Sequence, residues 1–196
     1  ETTNSSFISL GYTSNGIQGP LRSQSPIIVS HSDNPTNDYM VLQKNDTCYT
    51  FYFGFQKDNG NYFIMGSLGD SAHPSYNHYI MDHIYLCELT PDYDLVWEKM
   101  YPIPEGYVLN LADFLIDTDN HIVLYSGLRI VPYSKNHLFL SKFNMDGDLL
   151  CSNFMPEYDA GLYNDIILKP DSTGYYIIGS VNKNNILRHV RWRLTG

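Results

Sequence analysis

The sequence predicts an all-β protein, a β-propeller-like array of four-stranded antiparallel blades, from three observations. A turn rich in Asp, Asn, Gly or Ser precedes a short apolar run three times, in segments 58–66, 118–126 and 171–179. A second segment is repeated in residues 83–97 and 137–151. No window of eleven or more residues has apolar positions at helical spacing. Repeats of about 50 residues are typical of propeller blades, so they decide the fold class; a β-sandwich is the alternative.

Residues 1–50 have the weakest pattern and are predicted to form an N-terminal strand and a degenerate blade. Residues 7–11 are the strand, and the β-rich runs 26–30 and 39–43 belong to the blade. The last clear repeat lacks its fourth strand, a place that a strand from the other terminus commonly fills in a closed propeller. Residues 7–11 are the candidate for that role.

Three clear repeats follow, over residues 51–110, 111–164 and 165–196, and we expect residues 1–196 to form a single domain. Each repeat begins as strand, tight turn and strand, because Asp, Asn and Gly between two apolar runs are typical of a hairpin. A longer loop and a third strand follow, and the first two repeats add a second tight turn and a fourth strand.

The third strand of the first repeat alternates strictly. Tyr85, Cys87 and Leu89 are predicted on one face, with Leu86 and Glu88 on the other. Residues 139–143 repeat this pattern in the second repeat.

Composition excludes several classes of protein. The 43% hydrophobic content excludes disorder, and a formal net charge of −9 argues against a nucleic-acid partner. No apolar stretch reaches the ~18 residues of a transmembrane helix. Cys48, Cys87 and Cys151 fit neither a disulfide framework nor metal-ligand spacing, and we expect three small buried residues.

The repeat consists of an Asp/Asn-Gly turn, Tyr-x-Ile-x-Gly, a long loop, Leu-x-Leu-x-Lys/Glu-Leu/Phe, Asp-x-Asp and Leu-x-Trp. It resembles the propeller repeats of secreted and lipid-anchored proteins of Bacteroidetes-type bacteria, over residues 51–196. The resemblance implies an extracellular, periplasmic or cell-surface location in a bacterium, with the signal or lipoprotein anchor outside this sequence. Members of such families include sugar-binding, protein-binding and uncharacterised surface proteins, so the resemblance implies a compartment more than a function. We expect a non-catalytic binding or scaffold module of a bacterial surface or secreted protein.

Tyrosine is the residue type that points to a ligand, since the chain has 17 of them. Aromatic faces stack on sugar rings, and phenol hydroxyls bond to sugar oxygens. The predicted site for a glycan or protein ligand, with no cofactor, consists of six tyrosines in predicted connecting loops: Tyr76, Tyr79, Tyr107, Tyr133, Tyr158 and Tyr163.

A carbohydrate-active hydrolase is the first alternative function. Asp113 and Asp165 occupy matching positions at the start of the innermost strands of two repeats. Two carboxylates across a cleft are what glycoside hydrolysis requires. No nucleophile motif, phosphate loop or dinucleotide motif accompanies the pair.

A metal site is a weaker hypothesis, based on residues 70–83. His73, His78 and His83 recur at intervals of five, with Asp82 and Asp70 beside them, yet this spacing fits no helix face. A solvated loop is the competing interpretation. The Asp pairs at 92/94, 117/119 and 146/148 are interpreted as hairpin turns in preference to calcium loops.

Self-association is the second alternative function. A partial propeller leaves sheet edges open, and a second copy could complete the ring as a homodimer. The arginines within residues 188–193 are interpreted as protecting a terminal edge strand.

Overall fold

The computed structural model describes the backbone of residues 7–14, 24–31, 39–41, 48–69, 81–130, 136–168, 174–183 and 186–195, and the side chains of 50–51, 53–69, 81–109, 113–130 and 136–155. All regular structure in these ranges is β-strand, in antiparallel sheets, which confirms the predicted fold class. The same ranges contain no helix long and apolar enough to span a membrane.

The chain divides into two compact units, Glu1–Ile103 and Pro104–Gly196. Each unit has its own sheets, and the predicted single-domain organisation stays a prediction.

The first unit contains two sheets. One has the order β1-β2-β3 and the other β4-β5-β6-β7, and β1 and β2 lie next to β4. The four-stranded sheet is the meander predicted for the first repeat. Its strands, and those of the smaller sheet, are β1 Phe7–Ser14, β2 Gln24–His31, β3 Tyr39–Val41, β4 Cys48–Gln56, β5 Tyr62–Gly69, β6 His83–Leu89 and β7 Leu95–Pro102.

Residues 7–11 lie in β1, which pairs along its full length with β2, from Phe7 with His31 to Ser14 with Gln24, and their role in completing the last repeat stays a prediction. Pairing with a strand nearby in sequence closes a shorter loop than pairing across the whole chain, and costs less entropy.

The second unit is one six-stranded sheet in which the strands follow chain order. The first four strands correspond to the second repeat, and the third repeat continues the same sheet. The strands are β8 Tyr107–Ile116, β9 Ile122–Ile130, β10 Asn136–Phe143, β11 Leu149–Leu168, β12 Gly174–Lys183 and β13 Ile186–Thr195.

β11 joins the two repeats as one 20-residue strand. Its first part pairs with β10 and its last part with β12, with Ala160 paired to both. The sequence predicted two separate strands, 149–154 and 165–168. This separation is wrong, because the polar residues after the apolar run do not end the strand. The repeat boundary between residues 164 and 165 stays a prediction.

Four five-residue turns share one backbone geometry. In each, the first N–H donates to the carbonyl of the fifth residue, and the fourth N–H donates to the carbonyl of the first. The fourth residue has a positive φ, a conformation that Gly and Asn adopt readily. The turns are 57–61, 90–94, 117–121 and 144–148, with Gly60, Tyr93, Asn120 and Gly147 in fourth place. The interpretation of the acidic pairs as hairpin turns is therefore confirmed.

The central strands of the first repeat are buried on both faces. The predicted alternation is confirmed, since one face forms a single cluster of Tyr62, Ile64, Leu68, Tyr85, Cys87 and Leu89. The opposite-facing Leu86 and Glu88 are buried too. Cys87 is buried as predicted. The prediction is wrong for Cys151, which is exposed on the part of β11 that pairs with β10 alone, before the pairing with β12 begins at Ala160. The side chain of Cys48 lies outside the described residues.

Candidate functional site

Three rings meet in the second repeat, at the end away from its tight turns. The ring of Tyr107 lies 5.6 Å from that of His137, edge-on at 87°, and 4.8 Å from that of Phe154, at 71°. His137 and Phe154 are 6.3 Å apart at 77°. We call these three residues the aromatic cluster. All three side chains are half-buried, so the cluster lies at the surface.

The strands place the cluster on one face of the sheet. Tyr107 begins β8, and His137 lies on β10 two residues before Phe139, so both project to the same side. Phe154 on β11 pairs directly with Phe139, and their rings are 6.4 Å apart. A register shift between His137 and Leu138 locally bends the strand that carries the imidazole.

The imidazole of the cluster has one enclosed nitrogen atom. His137 Nδ1 is buried and has no hydrogen-bond partner among the described residues. The imidazole is held by its edge contacts with Tyr107 and Phe154. A cluster of this kind offers apolar ring surface together with a phenol and an imidazole as hydrogen-bonding groups.

The predicted tyrosines are distributed differently from expectation. Tyr107 belongs to the cluster, but it begins a strand and does not lie in a connecting loop. Tyr158 and Tyr163 also lie within a strand, because β11 continues through the predicted loop. Tyr76, Tyr79 and Tyr133 lie outside the described residues.

His137 and Phe154 were not predicted as site residues. The available signal was the equivalence of His137 and His83 in the repeat, which places a histidine at the start of the third strand in both repeats. Nothing in the sequence brought residues 107 and 154 together.

The carboxylate pair is matched in register. Asp113 pairs with Tyr125, and Asp165 pairs with Ile178, which is the equivalent of Tyr125 in the third repeat. Both residues lie well inside their strands, so the predicted position at a strand start is wrong. Asp113 is exposed, and its Oδ1 accepts the N–H of Phe114 at 2.8 Å. The side chain of Asp165 lies outside the described residues, and the convergence of the two carboxylates stays a prediction.

Two of the predicted metal ligands are described. Asp82 Oδ1 lies 2.7 Å from His83 Nδ1, and each side chain is about one-third exposed. His73 and His78 lie outside the described residues, as does Asp70. The metal site over residues 70–83 therefore stays a prediction.

A second group of possible metal ligands lies in the turn 117–121. One ligand atom each from Asp117, Asp119 and His121 lie within 4.8 Å of one another. Asp117 Oδ1 accepts the N–H groups of Asp119 and His121, at 3.0 and 2.8 Å, and Asp117 Oδ2 lies 3.0 Å from the Lys142 ammonium. A lysine therefore already supplies the positive charge beside this carboxylate.

The pair Asp117–Lys142 has a counterpart of opposite polarity in the first repeat. There the first turn residue is Lys57, and its ammonium lies 2.7 Å from Glu88 Oε2 on the third strand. Glu88 corresponds to Lys142, and Lys57 to Asp117, in the repeat alignment. Each of these two repeats thus ties its first turn to its third strand by an ion pair. Comparison of the two repeat sequences did not reveal these ion pairs, because the acidic and the basic residue exchange places between the repeats.

Glu88 is the most completely bonded of these groups. Its Oε2 accepts the Nε1–H of Trp97 at 2.9 Å, and its Oε1 accepts the side-chain amide of Asn61. Burial raises the pKa of Glu88, but the hydrogen bonds from Lys57, Asn61 and Trp97 and the charge of Lys57 outweigh burial and lower it below its ordinary value. This carboxylate is ionised and structural.

Burial is the largest influence on the pKa of the neighbouring thiol. It raises the pKa of Cys87 to about 12, against a smaller opposite effect of the hydrogen bond from Tyr85. Burial likewise raises the pKa of Tyr85, whose hydroxyl donates to Glu98 Oε2 at 3.0 Å. Neither group is a nucleophile at neutral pH.

No family model matches this chain, and no curated protein does. Among solved structures, the chain is similar to the crystal structure of xylan β-1,4-xylosidase from Bacillus halodurans C-125, with a TM-score of 0.51 and 12% sequence identity. The match covers 93% of this chain and 36% of that one, so this chain spans about a third of the xylosidase. That xylosidase has a β-propeller fold, and the likeness supports a propeller-like architecture.

Proposed function

We propose that this protein is a non-catalytic binding module that contacts carbohydrate through the aromatic cluster. The observation that carries the proposal is the meeting of Tyr107 with His137 and Phe154 at the surface of the second repeat. Rings of this kind stack on the apolar face of a sugar, and a phenol or imidazole bonds to its hydroxyls. The bacterial surface location and lipoprotein anchor predicted from the repeat accompany this proposal.

A neutral carbohydrate fits the charges better than an acidic one. The cluster contains no lysine or arginine, and the chain has a net charge of −9. The likeness in fold to a protein named as a xylan β-1,4-xylosidase makes xylan a reasonable first probe.

The described carboxylates support a binding role over a catalytic one. Glu88 and Asp117 are buried and paired with lysines of their own repeats, and Asp113 bonds to its adjacent backbone N–H. Each of these three carboxylates therefore already has a bonding partner within its own repeat.

The test is binding to soluble xylan and to xylohexaose, measured by affinity electrophoresis and calorimetry. Tyr107→Ala should weaken binding by about tenfold or more, because ring stacking and its hydrogen bond contribute about 1 to 2 kcal/mol. Tyr107→Phe keeps the ring and should retain most of the affinity. Tyr101→Ala removes a half-buried tyrosine elsewhere and is the matched control. The proposal would be contradicted if Tyr107→Ala and Tyr101→Ala lost affinity equally, or if the wild type did not bind xylan or xylohexaose.

A carbohydrate-active hydrolase is the second candidate, supported by the matched register of Asp113 and Asp165. Its test is release of nitrophenol from 4-nitrophenyl β-xyloside. Turnover abolished by Asp113→Asn and by Asp165→Asn, with retained fold, would favour the enzyme. Absence of turnover over days at high protein concentration would exclude this activity.

A further inference from the structure

Two strands, β7 and β11, each begin with a pair of exposed aliphatic residues. Leu95 and Val96 begin β7, and each is 49% exposed. Leu149 and Leu150, 54 residues later, begin β11 and are 39% and 49% exposed. Both pairs lie at a β-bulge: Leu95 pairs with Leu89 and Leu149 with Phe143, while Val96 and Leu150 are the extra residues without a partner in the ladder. Every residue of β5, by contrast, is buried.

Each pair directly follows an acidic turn. Asp92 and Asp94 are exposed before Leu95, and Asp146 and Asp148 are exposed before Leu149. β7 is also the last strand of its sheet. Exposed strand edges are normally protected by charged side chains. Exposed aliphatic pairs that recur at equivalent positions therefore indicate a contact surface.

We propose that the beginnings of β7 and β11 are two equivalent docking sites for an extended basic segment of another protein, with Lys or Arg alternating with aliphatic residues. The aliphatic residues of the segment cover Leu95 and Val96, or Leu149 and Leu150. Its cations lie beside the carboxylates of the preceding turn. The net charge of −9 favours a cationic partner over an acidic one and speeds its encounter.

This surface is separate from the proposed carbohydrate site. In the second repeat, Leu149 and Leu150 lie at the end with the tight turns, whereas the aromatic cluster lies at the opposite end of the strands. The inference therefore does not depend on the proposed function.

The test is calorimetric titration of the full chain with a synthetic ten-residue peptide of alternating Lys and Val. We expect two peptides bound per chain, with an affinity that falls as salt rises, because salt screens exposed charges. Leu149→Thr with Leu150→Thr should reduce the stoichiometry to one. Replacing Leu95, Val96, Leu149 and Leu150 together by Thr should weaken peptide binding by about tenfold or more. Thr favours strands, so circular dichroism should be unchanged.

Ile130→Thr is the matched control, since Ile130 is 39% exposed at the other end of its repeat, away from the acidic turns. It should leave binding unchanged. Equal loss in this variant, equal binding of a Glu-Val peptide, or no binding by the wild type at millimolar peptide would overturn the proposal. Self-association that the four Thr substitutions abolish would assign the surface to a second copy of the chain and overturn it as well.

Discussion

At the scale of single residues, the ion pairs of opposite polarity show what the repeats hold constant. The constant feature is the contact between the first residue of one turn and the third strand, while the sign at each position changes. Side-chain exposure is 15% and 5% for Lys57 and Glu88, and 24% and 4% for Lys142 and Asp117. In each pair the carboxylate is the more buried partner, so removing its cation leaves a buried charge.

Glu88→Gln should lower the free energy of unfolding by about 3 kcal/mol, because it leaves the Lys57 ammonium without its carboxylate. The double variant Lys57→Asp/Glu88→Lys copies the polarity of the second repeat and should recover part of the loss. Recovery is partial because Trp97 Nε1–H loses its acceptor. Urea unfolding measures the free energy of unfolding of the single and the double variant. Glu105→Gln, at an exposed position, is the control and should stay within about 0.5 kcal/mol of wild type. If the double variant loses as much stability as the Lys57→Asp and Glu88→Lys variants lose together, the two ion pairs are not equivalent.

The same carboxylate predicts a dependence on pH. The pKa of Glu88 is lower in the folded chain than its ordinary value of 4.5, so the unfolded chain takes up the proton first as pH falls. The contribution of Glu88 is therefore fully present above its unfolded pKa and is lost as pH falls through the folded pKa. The difference in stability between wild type and Glu88→Gln should shrink from about pH 7 to about pH 3. A difference that stays constant over this range would show that the charge is not its source.

At the scale of strands and turns, local chemistry accounts for what the sequence predicted. Asp, Asn and Gly in the turns, and alternation in β6, identified the hairpins because these signals act over a few residues. The long strand β11 was missed, since its polar middle is stabilised by pairing with β10 and β12 and not by its own composition. The aromatic cluster was missed for the same reason: Tyr107 and Phe154 meet only through the folded sheet.

Close approach of β4 and β5 gives a prediction at this scale. A Cβ at Gly66 would overlap the carbonyl oxygen of Thr50 and lie 3.0 Å from the Cα of Phe51, where the register of the two strands shifts. Gly66→Ala should therefore destabilise the fold by about 1 to 3 kcal/mol. Gly127→Ala is the control, because its Cβ would come no closer than 3.4 Å to a side chain, that of Asn136. Thermal unfolding compares the two variants. Equal midpoints would show that β4 and β5 can move apart at Gly66 without loss of stability.

At the scale of the whole molecule, the first and second repeats each have two different ends. The four described tight turns lie at one end of their own repeats, and in the second repeat the aromatic cluster lies at the other. Rigid strands position the few residues at the longer connections, as is common for binding proteins. The predicted homodimer stays a prediction. Light scattering would support it with a mass of twice 22.5 kDa and contradict it with a single-chain mass at all concentrations.

Contact between the aromatic cluster and carbohydrate can be tested by chemical-shift mapping of the ¹⁵N-labelled chain with xylohexaose. We expect the amides of Tyr107, His137 and Phe154 to shift together and saturate with one affinity, while those of the tight turns stay in place. Shifts confined to other parts of the chain, or none at millimolar sugar, would contradict it.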